Sequence, residues 1–518
     1  MLWFWQCSAW VWSGTIALAI SGSFAIAPAI LAQPTLPEKS LSNSPPESTR
    51  TVSLNLQDII TLVAQSNRDL RNAQLDRIVQ RQELKEAESR FDPKFIPSIT
   101  VGITQNSATT GFTGVSPTLS TGTLPQNFIN IGSGRTERIS DRTNFNSTTQ
   151  LQAQLRTRIG TQVQLTTDPL SDLPFSLRIT QPLLRGFGRT VNEAPIKAAR
   201  LINTKQSLDL RQTRINKITE TILAYCTLYQ RQESVRIQEA SLASQRYQLQ
   251  VTQALVQAGR RARVDLVNVQ QSIADGERAL IAAKNQLTLA NSVLVRLIDT
   301  AEPLTIAIAP ESIDTLIQMA VVRAQTLNRT ALLETAYLNR PDYLQAKIDI
   351  ETEKLNLVVA QDNKRWDLSL QSDTSIGAAS QTAASLVLLR EFGNQQLEME
   401  TQRRQIGIQK NTNRLNQLTE KVQTDLDDQL NTIAATQQQI IAAQQATTLA
   451  QQQLEIAQER IRQGRDSIFE VTQKENTLRE ARNNELNAKL EFITAIAQLD
   501  QVLGTTLATW NFVDSTSF

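Results

Sequence analysis

Residues 183–189 read LLRGFGR, and residues 388–394 read LLREFGN. The two stretches stand 205 residues apart (388 minus 183). The offset holds well beyond them. Gly188 maps to Gly393, Leu249 to Leu454, Val251 to Ile456, Gly259 to Gly464, Arg260 to Arg465, Asp265 to Glu470 and Leu294 to Leu499. Upstream, a second offset of 273 (342 minus 69) takes Asp69 to Asp342, Leu75 to Ile348, Leu84 to Leu357 and Ala87 to Ala360. The chain reads as a duplication whose first copy carries 68 more residues between its halves (273 minus 205). Two long copies do not make a solenoid. They predict pseudo-symmetry within one structure.

Helical sequence follows each echo. No proline occurs between Pro195 and Pro303, or after Pro341. Such tracts, rich in Gln, Ala, Leu, Arg and Glu, favour helix. Apolar residues recur every seven positions at Leu201, Leu208, Ile215, Ile222 and Tyr229, then after a phase slip at Val235, Leu242, Leu249 and Val256. This coiled-coil-like seam predicts a helix over about 192–257, roughly 100 Å long at 1.5 Å per residue. At Gly259 the pattern stops, and it restarts near Val264. A glycine there supplies a helix stop, so a tight helical hairpin is expected, with Gly464 as its counterpart. The second hairpin is Gln-rich between Thr436 and Gln458, but Ile440, Ile441, Leu449, Leu454 and Ile456 punctuate it. A narrow apolar seam beside a wide polar face suits a wall with water on one side and helices on the other.

Strand sequence precedes each echo. PSITVGIT (97–104) alternates, as does FSLRIT (175–180). The longest alternation, 151–166, sets Leu151, Ala153, Leu155, Ile159, Val163 and Leu165 against Gln152, Gln154, Arg156, Arg158, Gln162 and Gln164. Apolar out and Gln/Arg in is the pattern of a water-filled barrel in lipid; a sandwich strand with one wet face gives the same alternation. In the second copy, 367–377 and 384–392 are weaker strands. The Thr-, Ser-, Gly- and Asn-rich stretch 107–146 reads as an exposed loop.

Composition removes most alternatives. The chain has 518 residues and a net charge of +2, so no global field points to nucleic acid. It has no histidine, which excludes Ser-His-Asp triads and histidine-ligated zinc. Its two cysteines, Cys7 and Cys226, cannot build a disulfide framework or a four-cysteine zinc site. No phosphate-binding glycine loop is present. No cofactor or metal is expected, and no enzyme. Residues 1–32 carry no charge and hold a short apolar core, 16–27, followed by small residues at Ala29 and Ala32. They read as a secretory signal peptide cleaved after one or the other. A Pro-rich linker, 33–50, follows. Cys226 would remain as an unpaired thiol, more often buried packing than chemistry.

With these features in order, the sequence resembles the TolC family of outer-membrane efflux ducts. The motifs are NRDL (67–70) and NRPDY (339–343), ITQPLLRGFG (179–188), the turns QAGRRARVDL (257–266) and RQGRDSIFEV (462–471), and LDQVLGTTLATW (499–510). The resemblance implies a mainly α protein with a membrane β-barrel. Each copy would supply a strand pair and a long helical hairpin. A homotrimer would share one twelve-strand barrel, four strands per chain, continued by an α-helical periplasmic tunnel. The first repeat would span 51–300, a connector 301–338, and the second repeat 339–512. The implied function is a passive duct in the outer membrane of a Gram-negative-type cell, its helical part in the periplasm. It would export small molecules or proteins in a tripartite pump or type I secretion system. Its partners would be outer-membrane lipid, a periplasmic adaptor (membrane fusion protein) and an inner-membrane transporter of RND or ABC type, with no nucleic acid. The rival is a periplasmic coiled-coil adaptor or scaffold, which normally has one hairpin rather than two. A chain that rises and descends needs an even number of crossings. Residues 95–106 and 174–184 are therefore assigned to the membrane, and 150–166 is either an extra strand or paired differently.

The resemblance also assigns roles. Gly186, Gly188 and Gly393 would mark the points where a descending strand becomes a tunnel helix. Gly259, Arg260, Arg261, Arg263, Gly464 and Arg465 would form the periplasmic tips that dock the adaptor, with Arg460 and Arg462 nearby. Cations also favour helix C-termini through the macrodipole. Asp265 and Glu470 would form the acidic constriction of the pore. Acids equally complement helix N-termini, and the sequence alone leaves both readings open. Asp466 and Gln473 depart from the family pattern around Glu470.

Overall fold

The computed structural model describes residues 50–106, 142–167, 175–300, 304–377, 380–463 and 468–510. The expected signal peptide, 1–32, and linker up to residue 49 lie outside the described residues, as does 107–141 of the expected loop. In chain order the elements are β1 (Arg50–Ser53), α1 (Leu56–Ser66), α2 (Arg68–Glu88), a 3-10 turn (Ser89–Phe91), β2 (Lys94–Asn106), β3 (Arg142–Arg156), β4 (Gln162–Thr167) and β5 (Phe175–Pro182). Next come α3 (Arg189–Gln257), α4 (Arg263–Ile298), β6 (Leu304–Ala307), α5 (Pro310–Ala324), α6 (Arg329–Asn339) and α7 (Pro341–Asn363). The last are β7 (Asp367–Ile376), β8 (Gln381–Leu389), α8 (Gln395–Arg462), α9 (Ile468–Leu503) and α10 (Thr506–Thr509).

Two very long helices organise the rest. α3 has 69 residues and α8 has 68; at 1.5 Å per residue each is about 100 Å long. α3 packs along α4, and α8 along α9. α2 and α7 pack beside α3, and α7 beside α8. The seven-residue seam shows in the burial of Ile215, Ile222, Tyr229, Val235 and Leu242. α3 starts at Arg189, earlier than the expected position near 192, and takes Pro195 inside it. A proline so close to the start frees a single carbonyl, that of Val191, rather than breaking a long ladder.

Midway along α3 the burial widens from a stripe to most of the circumference. Ile218, Ile222, Tyr225, Cys226 and Leu228 are all enclosed. There α1, the C-terminal part of α4, β6, α5 and α9 close around α3 in one apolar cluster with Trp510. The short strands β1 and β6 pair in parallel at its edge. Burial pushes the Cys226 thiol up to about 12, so it is a core side chain and not a nucleophile. Local signals fix the entries to this region. Asn55 caps α1 in a reciprocal box with Asp58. Asn67, of the NRDL motif, accepts from the backbone of Asp69 and Leu70 while its amide donates to the Leu297 carbonyl at 2.9 Å. In NRPDY, Pro341 opens α7 at a position where a missing N–H costs nothing.

The sheet differs from expectation. It has six antiparallel strands in the order β2-β3-β4-β5-β7-β8, not four. The stretch 150–166 is not one strand. A turn at 157–161, with Gly160 at φ +103°, divides it into the end of β3 and the start of β4. The alternation ran through this turn because Leu155 pairs directly with Val163, and Arg156 with Gln162. Five turn residues preserve the parity of the faces. The first half of the chain thus contributes four strands to the sheet, an even number. β3 also begins at Arg142, inside the stretch expected to be loop. Along the sheet, Leu151, Leu155, Leu165, Phe175, Ile179, Leu370, Ile376 and Leu386 are exposed apolar residues. No described helix is long and apolar enough to cross a membrane.

Candidate functional site

Where the sheet ends, the chain must turn from strand into helix twice, and both turns rest on glycine. After β5 the backbone stays paired with β7 for three more residues: Leu183 N–H donates to the Leu368 carbonyl (2.7 Å) and Arg185 N–H to the Trp366 carbonyl (3.1 Å). Gly186 and Gly188 then adopt φ +78° and +100°, which side chains with a Cβ rarely reach. The Gly186 N–H donates to Asp362 Oδ2 at 2.6 Å. The Asn192 amide donates back to the carbonyls of Gly186 (2.7 Å) and Gly188 (2.9 Å). Gly188 N–H donates to Ile159 in the β3–β4 turn at 3.0 Å. Arg185 pairs with Asp367. On the second side Gly393 has φ +79°, and Asn394 caps α8 through the Gln396 N–H at 3.1 Å. There Arg390 lies over the rings of Trp366 (4.7 Å) and Phe392 (5.4 Å). Phe187 and Phe392 occupy equivalent positions in the two echoes, and both are exposed.

Of the glycines named from the sequence, Gly186 and Gly188 lie between β5 and α3 and Gly393 lies between β8 and α8; Gly160, Asp362 and Asn192 were not named. Asp362 is 3% exposed. An acid near the end of a polar helix carries no mark that it will be enclosed. Gly160 carried one: a lone glycine within an alternating run signals a bend or a close backbone approach.

At the first tip, α3 stops at Gly259, φ +71°, whose N–H donates to Val256, while Arg260 N–H donates to Leu255 (2.9 Å). Arg260 and Arg263 are exposed, and Arg261 is half-buried. Asp265 is half-buried in the first turn of α4. Gly464 and Arg465 lie outside the described residues. Glu470 lies in the first turn of α9, with Lys474 Nζ 3.6 Å from its carboxylate. Both acids therefore occupy the helix N-terminal positions at which a carboxylate meets the macrodipole.

Above the tips, one acid stands apart. Glu475 on α9 is 7% exposed and faces α3, where Ser244 donates to Oε1 at 2.5 Å. Among the described residues its Oε2 has no hydrogen-bond partner, nor does Nε2 of Gln248, which lines the same recess. Burial raises its pKa; the Ser244 hydrogen bond opposes this. A folded-state pKa above the unfolded value means that the native state holds the proton more tightly. Stability then falls as pH rises through that interval. Glu475→Gln should raise the melting temperature at neutral pH, with the gain vanishing below the ordinary glutamate range; melting curves across pH check this. A gain that persists in acid would point to packing instead of charge.

Among the described residues no group of three or more His, Cys, Asp or Glu is placed to hold a metal ion. Residues 59–299 match the family model for the outer membrane efflux protein. Comparison with curated proteins finds no match. Among solved structures, CusC is 14% identical, covers 90% of this chain and 95% of its own, and gives a TM-score of 0.62. The outer membrane protein VceC of Vibrio cholerae is 16% identical, covering 87% of this chain and 96% of its own, with a TM-score of 0.60. The outer membrane channel CmeC of Campylobacter jejuni is 13% identical, with 89% and 87% covered and a TM-score of 0.61. At these identities the likeness is one of fold. The family match covers just under half of the chain, residues 59–299, and within it the chain is similar to the outer membrane efflux proteins, in line with its resemblance to the TolC family. These are transport channels of the outer membrane, not enzymes.

Proposed function

We propose that three copies of the chain form a passive duct, carrying small molecules or proteins from the periplasm out of the cell. The observation that carries this is the direct continuation of an amphipathic six-stranded sheet into two helices of about 100 Å at Gly188 and Gly393. β2, β3, β7 and β8, of 13, 15, 10 and 9 residues, are long enough to span a bilayer. The exposed Leu, Ile and Phe face would meet lipid, and the Gln, Ser, Thr and Arg face water. Four strands of that length from each of three chains would give the twelve spanning strands that the family resemblance implied, with β4 and β5, of 6 and 8 residues, as shorter strands between β3 and β7. The extra hairpin accounts for the longer first copy. Transport energy would come from an inner-membrane transporter of RND or ABC type, coupled by a periplasmic adaptor at the tips around Gly259, Arg260, Arg261, Arg263, Gly464 and Arg465. Asp265 and Glu470 would ring the entrance and favour cations. The test is single-channel recording in planar bilayers. Replacing both acids with alanine should raise conductance and weaken cation selectivity. Parent-like values would leave the acids as helix caps, and an absence of pores from the parent protein would end the duct reading.

A further inference from the structure

The polar face of the sheet carries a cluster of cations at its helix end. Strand register puts Lys94, Gln154, Gln164, Arg178 and Asp373 in one cross-strand row. Arg156, Gln162, Thr180 and Gln371 form the next row. Neighbours in a row share a face, and these are the polar rows. Arg178 is neutralised in place, since its Nε donates to Asp373. Lys94 and Arg156 are not: no ion pair joins either to a carboxylate among the described residues. Arg90, from the 3-10 turn that leads into β2, joins them. These three cations and the amides of Gln154, Gln162 and Gln164 line one recess of about 260 Å³, with Asp92 as its single acid. Burial first, and then the charge of Arg156, push the Arg90 guanidinium below its ordinary value. The two guanidinium groups therefore repel each other, and among the described lining residues only Asp92 offsets them. Like charges held together in this way are costly unless something of opposite sign occupies the space.

We propose that Arg90, Lys94 and Arg156, at the helix end of the sheet, form a binding site for multivalent anions bearing phosphate or carboxylate groups. This rests on the duct reading for its setting: in a closed barrel the polar face lines the lumen, and the recess would lie where cargo passes from helical tunnel to barrel. Two guanidinium forks and an ammonium offer charge-assisted donors that match such oxyanions, and the glutamine amides add neutral ones. Anionic solutes would be held at this level, while the acids at the tip favour cations. The same chemistry could come from a free anion in the lumen or from a phospholipid headgroup at the membrane edge.

The experiment uses the full chain with inorganic pyrophosphate as the probe. In planar bilayers of neutral lipid, pyrophosphate should block the parent channel. The combined change Arg90→Gln, Lys94→Gln and Arg156→Gln should raise the half-blocking concentration by about tenfold or more, as expected for lost charge-assisted contacts. Arg178→Gln with Asp373→Asn removes a neutral pair and should leave block unchanged. Titration calorimetry of the detergent-solubilised protein reads the same site without a pore. It therefore still tests the site if the duct reading fails. Equal pyrophosphate binding by parent and triple variant would overturn the proposal. So would block that is absent in the parent while insertion depends on phosphatidylglycerol and on the three cations, because the cations would then lie against lipid headgroups.

Discussion

Replacing Gly160 with alanine is expected to abolish assembled protein, whereas the same change at Gly188 should weaken it only partly. Both glycines have φ near +100° (+103° and +100°), so each substitution carries backbone strain of about 1–3 kcal/mol. Their surroundings differ. A Cβ at Gly160 would stand 2.2 Å from the Gly186 carbonyl oxygen, 2.9 Å from Pro182 Cγ and 3.0 Å from Asn192 Nδ2. A Cβ at Gly188 meets nothing within 4 Å. The Gly186 carbonyl is backbone, already held by the Asn192 amide, and cannot step aside like a side-chain end. The β3–β4 turn would have to lift off the β5-to-α3 junction, which breaks the Gly188-to-Ile159 hydrogen bond. The measurement is the yield of heat-modifiable oligomer in outer-membrane fractions. Equal yields from the two variants would show that the close approach at Gly160 is not what seats the extra hairpin.

The long helices were legible because their signal is repeated. Seven-residue recurrence across some sixty residues and the absence of proline leave few other readings. The start of α3 was misplaced because Pro195 looks like a boundary, whereas Gly188 and Asn192 together build the true one. The sheet shows the reverse weakness. Period-2 alternation reports which face a residue takes, not where one strand ends. A turn that keeps parity, as 157–161 does, is invisible to it. Gly160 alone marked the break.

The site was legible where the chemistry is local. A glycine after a strand, or after a helical seam, announces its own conformational need, so Gly186, Gly188, Gly259 and Gly393 could be named from the sequence. Partners that reach across the chain could not. Asp362 meets Gly186 over 176 residues, and Glu475 meets Ser244 over 231. No local spacing encodes either meeting. The basic recess was hidden for the same reason. Arg90, Lys94 and Arg156 converge only once the strand register is known.

Arg340→Met should destabilise the protein by about 1–3 kcal/mol, the cost of losing charge-assisted hydrogen bonds to two carboxylates that stay partly in water. Arg340 is 8% exposed. Its Nε donates to Asp342 at 2.9 Å, and another guanidinium nitrogen lies 2.9 Å from Asp425 on α8. One cation thus joins α7 to α8 and offsets two carboxylates. Burial disfavours the charged guanidinium, yet Asp342 and Asp425 outweigh it and hold its pKa above the ordinary value. The backbone here has no slack. Gly504, φ +71°, packs so closely that a Cβ would lie 2.7 Å from the Asn339 carbonyl oxygen and 3.1 Å from the Arg340 Cα. Arg211 of α3 donates to Asn339 and to the Gly504 carbonyl, at 3.3 Å and 3.1 Å. The NRPDY segment thereby meets α3, α8 and the end of α9 at one point. With methionine in place of Arg340, Asp342 and Asp425 remain without their shared cation. Adding Asp425→Asn to Arg340→Met should then recover part of the loss, because one uncompensated charge has gone. Asp425→Asn alone should cost less than Arg340→Met, since Arg340 keeps Asp342. Chemical denaturation of the four proteins closes a double-mutant cycle. Strict additivity would mean that Arg340 and Asp425 act independently and that the loss in Arg340→Met comes from packing alone.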